Sequence, residues 1–180
     1  MRLDGTDPSG SGINEQKVNK EGQALTFSIT QTELVHESEE NGSAYNWSTD
    51  LVNIDANDTV LLIKNTSDNH LHIDSIRIAN GSTASEYTIH LPTADVTVTG
   101  TTVTGTNLNT ASSNVASSSA ASDETNNSQG NVIETVFLSI DSNIEIGELG
   151  LILGKNKSVA IDVVAATTET AVTIVGHFEV

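Results

Sequence analysis

The chain has 180 residues, with 24 Asp and Glu against 7 Lys and Arg, and a formal charge of −17. A surface this negative repels phosphate backbones and anionic headgroups, which argues against nucleic acid and membrane as partners, and it disfavours nonspecific self-association. Cys is absent, so disulfides, thiolate catalysis and Cys-ligated zinc drop out of the chemistry.

A chain of this length is read as a single domain with appendages. Aromatics make up 3% of the residues, so the core must be built from Val, Ile and Leu, the side chains that suit pleated, half-buried surfaces. The opening MRLDGTDPSGSG has no apolar centre and reads as no signal peptide, and no apolar run reaches the length of a membrane helix. Synthesis in the cytoplasm without export is the expectation. Asn-x-Ser/Thr sequons begin at Asn41, Asn46, Asn57, Asn65 and Asn80; in a chain this rich in Asn, Ser and Thr they are read as incidental.

Residues 1–20 are polar and Gly-rich and are predicted to form an extended N-terminal arm. ALTFSITQTELV alternates, with Leu25, Phe27 and Ile29 on one face, and predicts a half-buried strand; HESEENGS then predicts a turn or loop. AYNWSTDLVNI carries Tyr45 and the only Trp, Trp47. DANDT, Asp55–Thr59, predicts a turn, and TVLLIKN a central strand covered on both faces.

In HLHIDSIRIAN, Leu71 and Ile73 share one face and Ile76 and Ile78 the other. One extra residue near Asp74–Ser75 would bring all four to the core, so a β-bulge is predicted there. EYTIHL, with Tyr87, Ile89 and Leu91 on one side, predicts a strand ended by Pro92. TVTGTTVTGT, Thr97–Thr106, is a direct duplication and predicts an exposed hairpin or edge segment.

The stretch 105–131 is almost entirely Ser, Ala, Asn, Thr and Gly, with Leu108 and Val115 as its large apolar residues up to the strand that follows. It is predicted to be an arm inserted into a domain over 21–180, packed on another subunit. NVIETVFLSI, IEIGELGLIL, KSVAIDVVA and TAVTIVGHFEV, separated by turn signals, predict four more strands. The fold class is therefore all-β: an antiparallel β-sandwich of jelly-roll type.

His70, His72 and Asp74 could face one side of a strand as metal ligands. The plainer reading is a polar outer face, since the bulge would turn Asp74 away, and no metal is assigned. Asp55–Thr59 lacks the Gly and distal Glu of a calcium loop. No G-x-S-x-G elbow and no phosphate-cradling Gly loop occur, so no catalytic residue and no cofactor is assigned. Tyr45 and Trp47 are weighed as a ligand platform against core packing. Ile13 and Val18 of the N-terminal arm and Leu108 and Val115 of the inserted one are named as subunit or partner contacts.

KVNKEGQALTFSITQTELVHESEENGSAYNWST, GTNLNTASSNVASSSAASDETNNSQGN and the closing GLILGKNKSVAIDVVAATTETAVTIVGHFEV resemble small β-rich structural proteins of tailed phages, marine ones in particular. The resemblance covers most of the chain and supplies no catalytic residues. It implies a decoration or head-fibre component on the virion exterior. Its partners would be the major capsid protein or other virion proteins, and it would form homo-oligomers. A tail- or fibre-associated receptor- or glycan-binding protein is the alternative.

Overall fold

The computed structural model describes residues 4–6, 13–15, 32–125 and 130–179. The chain divides into two compact units, residues 1–31 and residues 32–180. In the first, β1 (Asp4–Thr6) pairs antiparallel with β2 (Ile13–Glu15), Thr6 lying opposite Ile13. The strand expected over Leu25, Phe27 and Ile29, and the contact residue Val18, lie outside the described residues.

The second unit opens on α1 (Glu33–His36), a single turn whose cap, Thr32, accepts a hydrogen bond from Val35 N–H. A π-helical turn over Glu37–Asn41 follows and ends at Gly42 with φ of 59°. This corrects the expectation of a strand through Val35 followed by a loop. The Glu37 carboxylate is the cause: it is buried, and Asn41 Nδ2 and Ser43 Oγ both donate to it at 2.7 Å, so the chain winds around it.

The strands are β3 (Ala44–Ser48), β4 (Val52–Ile54), β5 (Thr59–Asn65), β6 (Leu71–Ala79), β7 (Ser85–Leu91), β8 (Thr101–Thr102), β9 (Thr106–Asn107), β10 (Ser118–Ser122), β11 (Asn131–Leu138), β12 (Asn143–Leu153), β13 (Ser158–Val163) and β14 (Thr167–Phe178). They build two antiparallel sheets, ordered β11-β7-β13-β5-β10-β8 and β12-β6-β14-β3-β9, with β4 paired to β14. The protein is an all-β antiparallel sandwich, as the alternation of apolar residues predicts.

The core unites Val60, Leu61 and Ile63 of β5, Tyr87 and Ile89 of β7 and Val159, Ile161 and Val163 of β13 with Ile73, Ile76 and Ile78 of β6 and Val172 and Ile174 of β14. β5 is covered on its other face as well: Leu62 packs with Ala160 and Val96 in a second apolar cluster. Lys64 Nζ holds that cover down through the Val96 carbonyl oxygen at 2.9 Å. Asn80 is a buried polar side chain with its groups paired. Asn80 donates to the carbonyl oxygens of Thr83 and Ser139 at 2.8 Å and accepts from the Tyr87 hydroxyl at 2.7 Å. Among the described residues, no helix is long and apolar enough to cross a membrane.

The bulge stands where the pattern places it. On β14, Val175 lies opposite Ser75 and Gly176 opposite Ile73, which leaves Asp74 as the extra residue. Leu71, Ile73, Ile76 and Ile78 are all buried in consequence. Gly176 permits the close approach, since a Cβ there would lie 2.3 Å from the His72 carbonyl oxygen.

The stretch 105–131 departs from the predicted arm. β9 pairs β3, and β10 lies between β5 and β8 with Ala120 and Ala121 buried. Ser118–Ser122 is thus a strand of this chain's own sheet. Small side chains let it pass beside Trp47, whose Nε1–H donates to Ser118 Oγ at 3.0 Å. The duplicated TVTGT segment supplies β8 and β9, the terminal strands of the two sheets, in accord with its reading as an edge segment.

Candidate functional site

Two of the five His, His72 and His177, and two carboxylates, Glu33 and Asp74, meet near one end of the β6–β14 ladder, with His70 and Glu179 at the rim. His72 on β6 lies directly opposite His177 on β14, and their rings stack at 4.8 Å with 19° between planes. The bulge does not remove Asp74 from this site. It turns the carboxylate onto His177, with Oδ2 at 2.9 Å from Nδ1.

A carboxylate at Nδ1 fixes the proton there, so a neutral His177 presents an Nε2 lone pair. That Nε2 is buried and makes no hydrogen bond. Glu33 on α1 brings a carboxylate near it, with Oε1 at 3.9 Å. The ligand atoms of Glu33, His72 and His177 lie within 4.8 Å of one another. They border a cleft of about 500 Å³ that Leu34, Gly150 and Ile152 also line. Burial works against a charge on His177, but the Asp74 hydrogen bond and the negative charges of Asp74, Glu33 and Glu37 outweigh it and raise its pKa above the usual 6.5.

His70 stands aside: its ring is largely exposed and lies 3.6 Å from Glu179, which also reaches His72 at 3.4 Å. Of the sequence trio His70, His72 and Asp74, the structure therefore keeps His72 beside Glu33 and His177 and uses Asp74 to orient the latter. His177 and Glu33 escape a reading by local spacing, because both reach the site from elements distant in sequence. The signal for His177 is its position at the end of the last strand, alternating with buried Gly176 and Phe178.

Tyr45 and Trp47 do not form a ligand platform. They are 2% and 0% exposed, and Tyr45 packs edge-on against Phe178 with ring centroids 5.8 Å apart. Without an accessible ring face neither can stack on a ligand, and core packing is the role the structure gives them. Leu108 and Val115 are exposed, Val115 at 81%. Ile13 lies in β2, paired with Thr6.

Thr59, Asp162 and His90 form a second polar line: Thr59 Oγ1 donates to Asp162 Oδ1 at 2.6 Å, and His90 Nε2 lies 2.7 Å from Asp162 Oδ2. The acid stands in the middle and all three residues are buried, so this line holds β5, β13 and β7 together and presents no hydroxyl to an imidazole.

The other exposed feature is β11. Among the described residues it is the terminal strand of its sheet, paired only with β7. Val132, Ile133 and Phe137 are exposed on it, Phe137 at 76%, and Ile140 is exposed just beyond. No family model matches this chain, nor does any curated protein or solved structure.

Proposed function

We propose that the protein is a non-enzymatic structural component of a virus particle, decorating or bridging capsid subunits on the particle exterior. The observation that carries this reading is the edge of β11 that no other strand among the described residues pairs. A long edge strand with exposed apolar side chains is a template for another chain, and monomeric proteins blunt such edges with charge, Pro or a cover. Here Glu134 is the one charged residue of the strand, and a register shift at Ile133 interrupts the ladder without hiding Phe137. The occupant inferred is a neighbouring virion subunit that adds to the β11 edge and covers Val132 and Phe137.

The strand order supports the same reading. With β4, β8, β9 and β10 set aside, the eight principal strands of residues 32–180, counted along the chain, run 1-8-3-6 in one sheet and 2-7-4-5 in the other. We infer a jelly roll from this double Greek-key interleave, an architecture that serves capsid proteins and lectins alike. Fold alone does not choose between those uses. The aromatics favour the capsid use: Tyr45, Trp47, Tyr87 and Phe178 are buried, and Phe137 is the one exposed Trp, Tyr or Phe ring among the described residues, which leaves no cluster of rings for stacking on sugars.

Co-sedimentation tests the proposal. Particles of a virus that carries the gene, prepared with the gene deleted, are mixed with the recombinant protein. Wild type is expected to pellet with the particles and Phe137→Asp to stay in the supernatant with an unchanged Tm. Failure of wild type to pellet, or equal pelleting of the variant, refutes it.

A further inference from the structure

We infer that Glu33, His72 and His177 bind one divalent transition-metal ion of the zinc type, with Asp74 as the residue that orients His177. The inference is independent of the virion reading and rests on a donor set, a preset tautomer and an unpartnered buried atom.

Two imidazoles and one carboxylate are a recurrent ligand set for zinc and its neighbours in the first transition row. Calcium and magnesium prefer all-oxygen shells, so the imidazoles select against them. The Asp74–His177 contact at 2.9 Å is the outer-sphere arrangement that metal-bound His commonly shows, a carboxylate taking the proton on the far nitrogen. The near nitrogen of His177 is then the telling atom. The residue is 1% exposed, and its Nε2 has no hydrogen-bond partner. A buried polar atom left without a partner is costly, and a metal bond would satisfy it.

The geometry needs little adjustment. Bonds of about 2.1 Å in a tetrahedral shell put ligand atoms about 3.4 Å apart. The present limit is 4.8 Å, and the Glu33 side chain is 63% exposed and free to swing inward. His72 is held from outside by Glu179, whose carboxylate would release it or remain as a further outer contact. Three protein ligands leave a fourth position open toward the cleft between α1 and the Gly150–Ile152 segment. Water would fill it, or a donor from a docked subunit. The charge of −17 raises the local concentration of cations around the site.

The test uses full-length protein without a His tag. Zinc content is measured by elemental analysis after dialysis against micromolar zinc, and cobalt(II) is titrated as a spectroscopic probe. Expected are one zinc per chain, a Tm that rises with zinc and falls on chelation, and cobalt absorption of a low-coordinate nitrogen–oxygen site. Glu33→Gln and His72→Ala alter residues with solvent-accessible side chains and should fold; each is expected to weaken binding at least tenfold, and Asp74→Asn about tenfold or more. His70→Ala should bind as wild type does. Absence of stoichiometric zinc in the folded wild type overturns the inference. So does binding that Glu33→Gln and His72→Ala leave unchanged, which would place the ion among the general surface carboxylates.

Discussion

Asp74 touches His177 because it is the surplus residue of a bulge: with regular pairing the two strands would carry it past, and instead its Oδ2 sits 2.9 Å from Nδ1 of a His 103 residues away in sequence. One local irregularity thus keeps four aliphatic side chains in the core and aims a carboxylate at a buried imidazole. Asp74→Ala leaves the Nδ1–H without its acceptor and is expected to cost about 1–3 kcal/mol of stability at pH 7. Urea unfolding measures it. Asp74→Asn, which keeps an acceptor oxygen, should cost less.

Asp58 carries the opposite sign. Burial, then the charges of Asp123, Asp55 and Asp162, raise its pKa above 3.8. An acid whose folded pKa is raised favours folding only while protonated, so stability from this group declines as pH climbs through that raised value. Asp58→Asn is therefore expected to increase Tm at pH 7, with the gain shrinking in high salt and vanishing near pH 3. A Tm series across pH with both proteins decides it.

Asn80 joins the ends of three segments: it holds the carbonyl oxygens of Thr83 and Ser139 and receives the Tyr87 hydroxyl, which also lies 2.8 Å from Thr170 Oγ1. Tyr87→Phe should cost about 1–2 kcal/mol, and Asn80→Ala more, about 3 kcal/mol, because several buried groups lose their partner together. Denaturant midpoints with unchanged slopes would verify the ranking.

Gly105 closes the duplicated segment beside Trp47, where a Cβ would lie 2.6 Å from the indole Nε1 and 2.7 Å from the Ala116 Cβ. Gly105→Ala is expected to destabilise by about 1–3 kcal/mol, the usual cost of overpacking a tight contact. The Trp47 to Ser118 hydrogen bond should loosen with it, and a shifted emission maximum from the only Trp reports that change.

Much of the sandwich was legible because its strands carry their burial in their own sequence. The apolar run at Val60–Ile63 announces a strand covered on both sides, and the break in alternation at Asp74 announces the bulge. β10 was illegible: SSAAS has neither β-branched nor aromatic residues, and it is a strand because β5 and β8 offer it partners and Trp47 needs a small neighbour. The π-turn was hidden for a similar reason, since charged ESEEN gives no sign that Glu37 will be buried and doubly hydrogen-bonded. Half of the histidine cluster lay in plain view as HLHID. Its other half required knowing that β14 returns beside β6, a topological fact that no local spacing encodes.

The measurement that bears most directly on the central proposal is immunogold labelling of purified virus particles, with an antibody shown to recognise the folded protein. Gold is expected over the heads of intact particles, and is expected to be lost from particles made with Phe137→Asp. Gold confined to tail tips, or no label on any particle, contradicts it.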